Sequence, residues 1–145
     1  MNILLDNTVL SNFAVVHRPR LLPAAFGDLL ATSEQVIEEL MAGVSRGKLP
    51  ALDWSWLPVW TLQEAELVHY ERFLRALNAG EASCLAMALV RECQFLTDDR
   101  DARELAGLFQ VPISGTLGVL IRLVDIGSME LGEAESLLNR MIEAG

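Results

Sequence analysis

The sequence predicts an α/β domain of three layers, α/β/α, built around a central parallel sheet of four or five strands. Short apolar runs alternate with longer stretches of helical periodicity along the whole chain, the pattern of repeated strand–helix units. No tight hairpin turn joins two of the runs, so the strands are expected to pair in parallel through helical crossovers. The runs are continuously apolar rather than alternating, as strands covered on both faces are.

The elements follow in order. "NILLD" reads as a buried strand ending in Asp6, and "NTVLSNFAVVHR" as a helix with Val9, Leu10, Phe13 and Val16 at helical spacing. The prolines of "RPRLLP" interrupt it. "GDLLATS" is a second strand, and "SEQVIEELMAGV" a helix whose start Thr32 and Gln35 would cap. "KLPALDWSW" is a loop and "LPVWTL" a third strand. A helix is expected from Gln63 to Leu77, with Thr61 and Glu64 as its capping box. "NAGEASCLAMALVREC" is a helix rich in small residues, able to pack closely. The strand "QFLT", the helix "DRDARELAGLF", the strand "VPIS" and the helices "GTLGVLIRLVDIG" and "LGEAESLLNRMIEAG" complete the chain. Without internal repeats, low-complexity segments or a linker, residues 1–145 are expected to form one domain.

Composition narrows the function. Hydrophobic residues make up 52% and mean hydropathy is +0.32, yet no run of about eighteen uncharged apolar residues exists, so no membrane span is expected. "MNILLDNTVL" has no basic leader, and Asp6 breaks its apolar run, which argues against a secretory signal and for a cytoplasmic protein. The apolar excess implies elements buried on both faces, or a surface that a partner covers. Cys84 and Cys93 have no metal-ligand spacing. On one helix they would stand about 13 Å apart, too far for a disulfide. Buried reduced thiols are expected. Net charge is −9, and Lys48 is the only lysine; such a chain repels nucleic acid unless a cation or basic partner intervenes.

Acidic residues raise the functional question. In an open parallel sheet, ligands bind beyond the carboxyl ends of the strands. Asp6 ends the first strand, and Asp98 and Asp99 follow "QFLT", so both segments fall on one edge. Glu38 and Glu39 lie in the helix that leaves that edge after "LLATS", and Glu81 opens the helix beginning near Ala79. Each has an ordinary explanation taken alone. Glu81 could pair with Asn78 in a capping box, Asp98 or Asp99 could cap a helix, and one of Glu38 and Glu39 could be solvated surface. Asp6 is hardest to explain so, because a buried unpaired charge is costly. Carboxylates facing one cavity raise each other's pKa, and a hard divalent cation removes the conflict. Mg²⁺ or Mn²⁺ takes oxygen ligands, needs few carboxylates and keeps several waters. His17 and His69 have no ligand-like spacing, so zinc is not expected.

"LLDNTVLSNFA", "ATSEQVIEEL", "LNAGEASCLAMAL" and "LTDDRDARELAGLFQVPISGTLGVL" together resemble the successive motifs of PIN-domain nucleases, in particular the branch related to VapC-type toxins. The likeness runs from Asn2 to about Gly127. It implies that Asp6, Glu39, Glu81 and Asp99 form a catalytic, metal-binding set, with Asp98 an additional metal ligand or a helix cap. It implies substrate-contacting roles for the polar positions Asn7, Thr8 and Thr97, although relatives often carry Ser or Thr where this chain has Asn7. It implies Mg²⁺- or Mn²⁺-dependent hydrolysis of RNA, a homodimer, and an antitoxin protein over an apolar groove. A phosphoacceptor receiver domain would need a lysine near a late strand, and Lys48 follows an early helix. A haloacid-dehalogenase-like phosphatase would need Asp-x-Asp after the first strand, where this chain has Asp6, Asn7 and Thr8. The remaining alternative is a non-catalytic PIN-like binding module, which the acidic balance favours.

Overall fold

A computed structural model describes all 145 residues. Five strands form one wholly parallel sheet: β1 (Ile3–Leu5), β2 (Leu30–Ser33), β3 (Val59–Trp60), β4 (Gln94–Leu96) and β5 (Ile113–Ser114), in spatial order β3-β2-β1-β4-β5. Eight helices flank it: α1 (Asn7–Val15), α2 (Leu21–Phe26), α3 (Glu34–Ser45), α4 (Glu64–Phe73), α5 (Ala79–Arg91), α6 (Arg100–Leu108), α7 (Thr116–Asp125) and α8 (Leu131–Ala144). The expected three-layer parallel architecture is present. None of the helices is long and apolar enough to cross a membrane.

The strand order reverses between β1 and β4, because β2 and β3 build outward on one side and β4 and β5 on the other. Connections from these two neighbours diverge, which opens a crevice at their carboxyl ends. Leu5 pairs with Leu96, so one residue later Asp6 and Thr97 stand side by side.

Helix α5 explains much of the apolar excess. Gly80 through Ala88 are all buried, because α5 lies over β1, β2 and β4 while α3 and α4 pack against it. A helix covered all round must be apolar or small all round. The rest of the excess is exposed: Leu117, Ile121 and Leu131 rim a groove between α7 and α8. Cys84 and Cys93 are buried free thiols.

Four local expectations require correction. The "RPRLLP" segment is not merely an interruption but holds the start of α2, with Pro23 at its third position, where a missing N–H breaks no helical bond. The second strand is shorter than "GDLLATS", since residues 27–29 form a 3-10 turn before β2. Helix α3 is capped by Ser33, which accepts from Val36 N, not by Thr32; the Thr32 hydroxyl is buried and donates to Leu5 O across the sheet. The cap of α4 is Gln63, two residues later than the expected Thr61, and Gln63 N donates to Glu66 Oε1. Neither threonine caps its helix, because the sheet uses Thr32 and Thr61 lies short of α4.

Candidate active site

Asp6 occupies the crevice between β1 and β4. It is 1% exposed and caps α1, its Oδ1 accepting from Asn7 N at 2.6 Å. Its Oδ2 accepts from the hydroxyls of Thr97 at 2.7 Å and Thr8 at 3.0 Å. Burial pushes the Asp6 carboxyl up, these three donors pull it down, and nearby Asp99 adds to the rise; the net direction is upward.

Three further carboxylates surround it, each tethered by one oxygen. Glu39, on α3, accepts from Gly80 N through Oε1 at 2.8 Å. A Cβ at Gly80 would lie 2.7 Å from that same Oε1, so a side chain there would push the Glu39 carboxylate aside. Glu81 completes a capping box on α5, its Oε1 accepting from Asn78 N and its own N donating to Asn78 Oδ1. Asp99 caps α6, its Oδ2 accepting from Ala102 N at 2.9 Å. The ordinary capping explanations are therefore correct for Asp6, Glu81 and Asp99, and they do not compete with clustering. Capping fixes where each carboxylate stands while engaging half of it.

The clustering shows in their charges. Burial raises Glu39, with Asp6 adding to it. Glu81 is pushed up to about 8, first by burial, then by the Asp99 carboxyl close against it and by the charge of Asp6. Glu81 Oε2 is buried with no hydrogen-bond donor. Glu39 Oε2 and Asp99 Oδ1 likewise receive no bond within the chain.

Asp98, expected as an additional metal ligand or a helix cap, stands apart from the other acids. It is exposed and is not among the charges acting on Asp6, Glu39 or Glu81. Its Oδ1 accepts from Thr116 N at 2.8 Å, and its Oδ2 accepts from the Thr116 hydroxyl and from Asn12 Nδ2. Asp98 thus ties the start of α7 to α1. Thr97 departs from its expected substrate role too, and Thr8 shares its bonding pattern. Each hydroxyl donates to Asp6 and accepts a backbone N–H, from Asp98 N and Asp99 N respectively. Thr97 is fully buried, so its hydroxyl orients Asp6 and is closed to substrate, and the half-buried Thr8 hydroxyl orients Asp6 as well. Asn7 keeps an open position, lining a cleft beside Glu39. Glu38, its neighbour on α3, is exposed.

Reasoning from the sequence missed Asn12, Thr116 and Ser33. Asn12 and Thr116 meet across 104 residues at 3.1 Å, and Ser33 accepts from Ser83 Oγ at 2.7 Å, positioning the α3 and α5 starts. No local pattern announces such long-range pairs, although the "GT" opening "GTLGVL" marked a helix start.

Do these residues suit a divalent cation? No three His, Cys, Asp or Glu side chains are arranged to hold an ion together. The donor chemistry nevertheless fits a hard cation held by few carboxylates and several waters. Each of Glu39, Glu81 and Asp99 offers one carboxylate oxygen without a partner, and one of these is buried.

The raised Glu81 carboxyl has a consequence for the metal-free protein. Unfolded, it loses its proton near 4.5; folded, near 8. Between these the folded state binds more protons, so its contribution to stability is full below 4.5 and is lost as pH rises through 8. Thermal melts in EDTA should give a falling melting temperature from pH 5 to 8, and Glu81→Gln should flatten that fall. An equally steep fall in the variant would show that Glu81 does not carry it.

A family model described as a PIN domain matches residues 2–145. Among solved structures, the chain is similar to PAE2754 from Pyrobaculum aerophilum, with a TM-score of 0.60 and 20% identity over 86% of this chain and 98% of that one. No curated protein matches it significantly.

Proposed function

This chain belongs to the PIN-domain family, and we propose that it is a metal-dependent endoribonuclease that hydrolyses RNA phosphodiester bonds. PIN domains are commonly nucleases. The single observation that carries the proposal is the convergence of Asp6, Glu39, Glu81 and Asp99, from four segments, on the crevice where the strand order reverses.

Asp6, Glu39, Glu81 and Asp99 would hold Mg²⁺ or Mn²⁺, few of them directly and the others through water; when bound, the ion supplies an activated water and stabilises charge on the scissile phosphate. Thr8 and Thr97 hold Asp6 in one orientation, and Gly80 N does the same for Glu39. This prior tethering limits the reorganisation needed when ligand and substrate arrive. Asn7, on the cleft wall, contacts substrate.

In the fuller reading the protein is the toxin component of a toxin-antitoxin pair, cytoplasmic and homodimeric, with an antitoxin over an apolar groove. Motif resemblance supports this, as does the exposed apolar lining between α7 and α8. Net charge of −9 favours a second reading, a non-catalytic metal-binding or protein-interaction module.

The test is incubation of purified protein with structured RNA in Mg²⁺ or Mn²⁺ and in EDTA. Cleavage that appears with metal and stops with EDTA is expected. Metal binding without cleavage would establish the second reading, and cleavage indifferent to EDTA would overturn both.

A further inference from the structure

A cleft of about 600 Å³ opens beside the acid cluster, with Asn7, Ser11, Glu38 and Glu39 on its lining together with Arg46 and Lys48. This volume lies within the ordinary range of ligand sites, roughly 300–1,000 Å³. Two cations share it with the acids. The ion pairs engage Arg18, Arg20, Arg91 and Arg100, while Arg103 and Arg122 donate to the carbonyls of Thr97 and Ala25. Arg46, the sole lysine Lys48, Arg72, Arg75 and Arg140 have no acidic partner, and of these five only Arg46 and Lys48 line this cleft.

Their mount is rigid. Arg46 N donates to Ala42 O, Gly47 N to Val44 O, and Lys48 N to Gly43 O, so the backbone turns back on the end of α3. Gly47 takes φ +73°, which a glycine adopts without strain. Gly43 leaves room for the Leu49 side chain, whose Cδ1 would stand 2.8 Å from a Cβ there. Two charged side chains are thus presented from a fully hydrogen-bonded turn.

Position supplies the rest. Arg46 follows Glu39 by seven residues of α3 and its cap, roughly 10 Å along the axis at 1.5 Å per residue. Stacked nucleotides rise about 3.4 Å each, so the turn lies two or three nucleotides from the acids. An acidic protein repels a polyanion at long range, and only local cations can hold its backbone against that field.

We propose that the Arg46–Lys48 turn is a phosphate-binding site, holding the RNA backbone a few nucleotides from the bond that is cut. The proposal rests on the ribonuclease reading and deepens it. Arg46 and Lys48 position the strand; they do not act at the reacting atoms.

Fluorescence anisotropy with a labelled single-stranded oligoribonucleotide tests it, in an Asp6→Asn background so that the strand stays intact. Arg46→Gln with Lys48→Gln is compared with Arg72→Gln with Arg75→Gln, an equal charge change on exposed residues outside the cleft. Circular dichroism checks that each variant folds. The cleft pair should weaken binding about tenfold or more and reduce the slope of log K against log salt by about 1.4, from two phosphate contacts at ~0.7 each. The control pair should do neither. In the native background, the cleft pair should raise KM and leave kcat within about twofold. Equal losses in both pairs, no loss in the cleft pair, or no measurable oligonucleotide binding would overturn the site. Failure of the ribonuclease reading looks different: no cleavage by the native protein, with anisotropy still separating the two pairs.

Discussion

Asp6→Asn is expected to reduce metal-dependent RNA cleavage about a thousandfold, or ~4 kcal/mol in transition-state stabilisation, while the protein stays folded. Asp6 is the common neighbour of the set: its charge acts on both Glu39 and Glu81, and Asp99 acts on it. Removing its charge weakens any cation held there without removing volume. The fold should tolerate the change, because Asn Oδ1 can still accept from Asn7 N. The Thr8 and Thr97 hydroxyls have a second acceptor lone pair for the new amide. Neutralising a buried carboxylate also removes a desolvation cost. The readouts are cleavage rate, circular dichroism and the melting temperature with and without Mg²⁺. Millimolar Mg²⁺ should raise the native melting temperature, because it binds the folded state, and should raise that of the variant far less. Undiminished cleavage in a folded variant would remove Asp6 from the chemistry.

Arg91→Ala should be the most damaging single substitution away from the site, costing about 3–5 kcal/mol of stability. Arg91 Nε and Nη2 donate to Glu66 Oε2 and Oε1 at 2.5 and 2.9 Å, and Nη2 also donates to Thr61 O. Its guanidinium lies over the Trp60 ring at 4.7 Å. Glu66 is fully buried. Burial pushes its carboxyl up, but the Arg91 bonds and Gln63 N outweigh this and hold it below its ordinary 4.5. The truncated variant leaves that carboxylate buried with one backbone donor. Because the folded pKa is depressed, the pair stabilises above 4.5 and loses its contribution as pH falls through the lower folded value. The gap between native and variant should therefore narrow in acid. Urea unfolding at neutral pH measures it as a lower midpoint with an unchanged slope. A loss under about 1 kcal/mol would place the pair with exposed ion pairs. The expected damage reaches the active site, since Arg91 anchors the far end of the helix whose start carries Gly80 and Glu81.

Much of the fold was legible because its signals are local. The five apolar runs, from "NILLD" to "VPIS", each contain a strand of the sheet, and missing hairpin turns correctly implied parallel pairing. Helix α2 was not legible, because a proline reads as a breaker wherever it falls, while the first turn of a helix needs no N–H from it. Thr32 and Ser33 are chemically alike as caps, and only the neighbouring strand, with Leu5 O awaiting a donor, assigns one hydroxyl to the sheet and the other to the helix. The same limit applied at the site. Asp98 and Asp99 are adjacent acids after one strand, yet only Asp99 faces Glu81, because Thr116 and Asn12 hold Asp98.

By itself, the sequence determined the layer architecture, the family resemblance and the edge of the sheet on which the acids gather. Those follow from hydrophobic period and from chain position relative to strand ends, which are properties of short segments. The tertiary structure decided which oxygen of each carboxylate is tethered, which threonines orient Asp6, and that Arg46 and Lys48 share a cleft with Glu39. Those depend on hydrogen bonds and packing between residues tens of positions apart, formed only when the sheet brings their segments together.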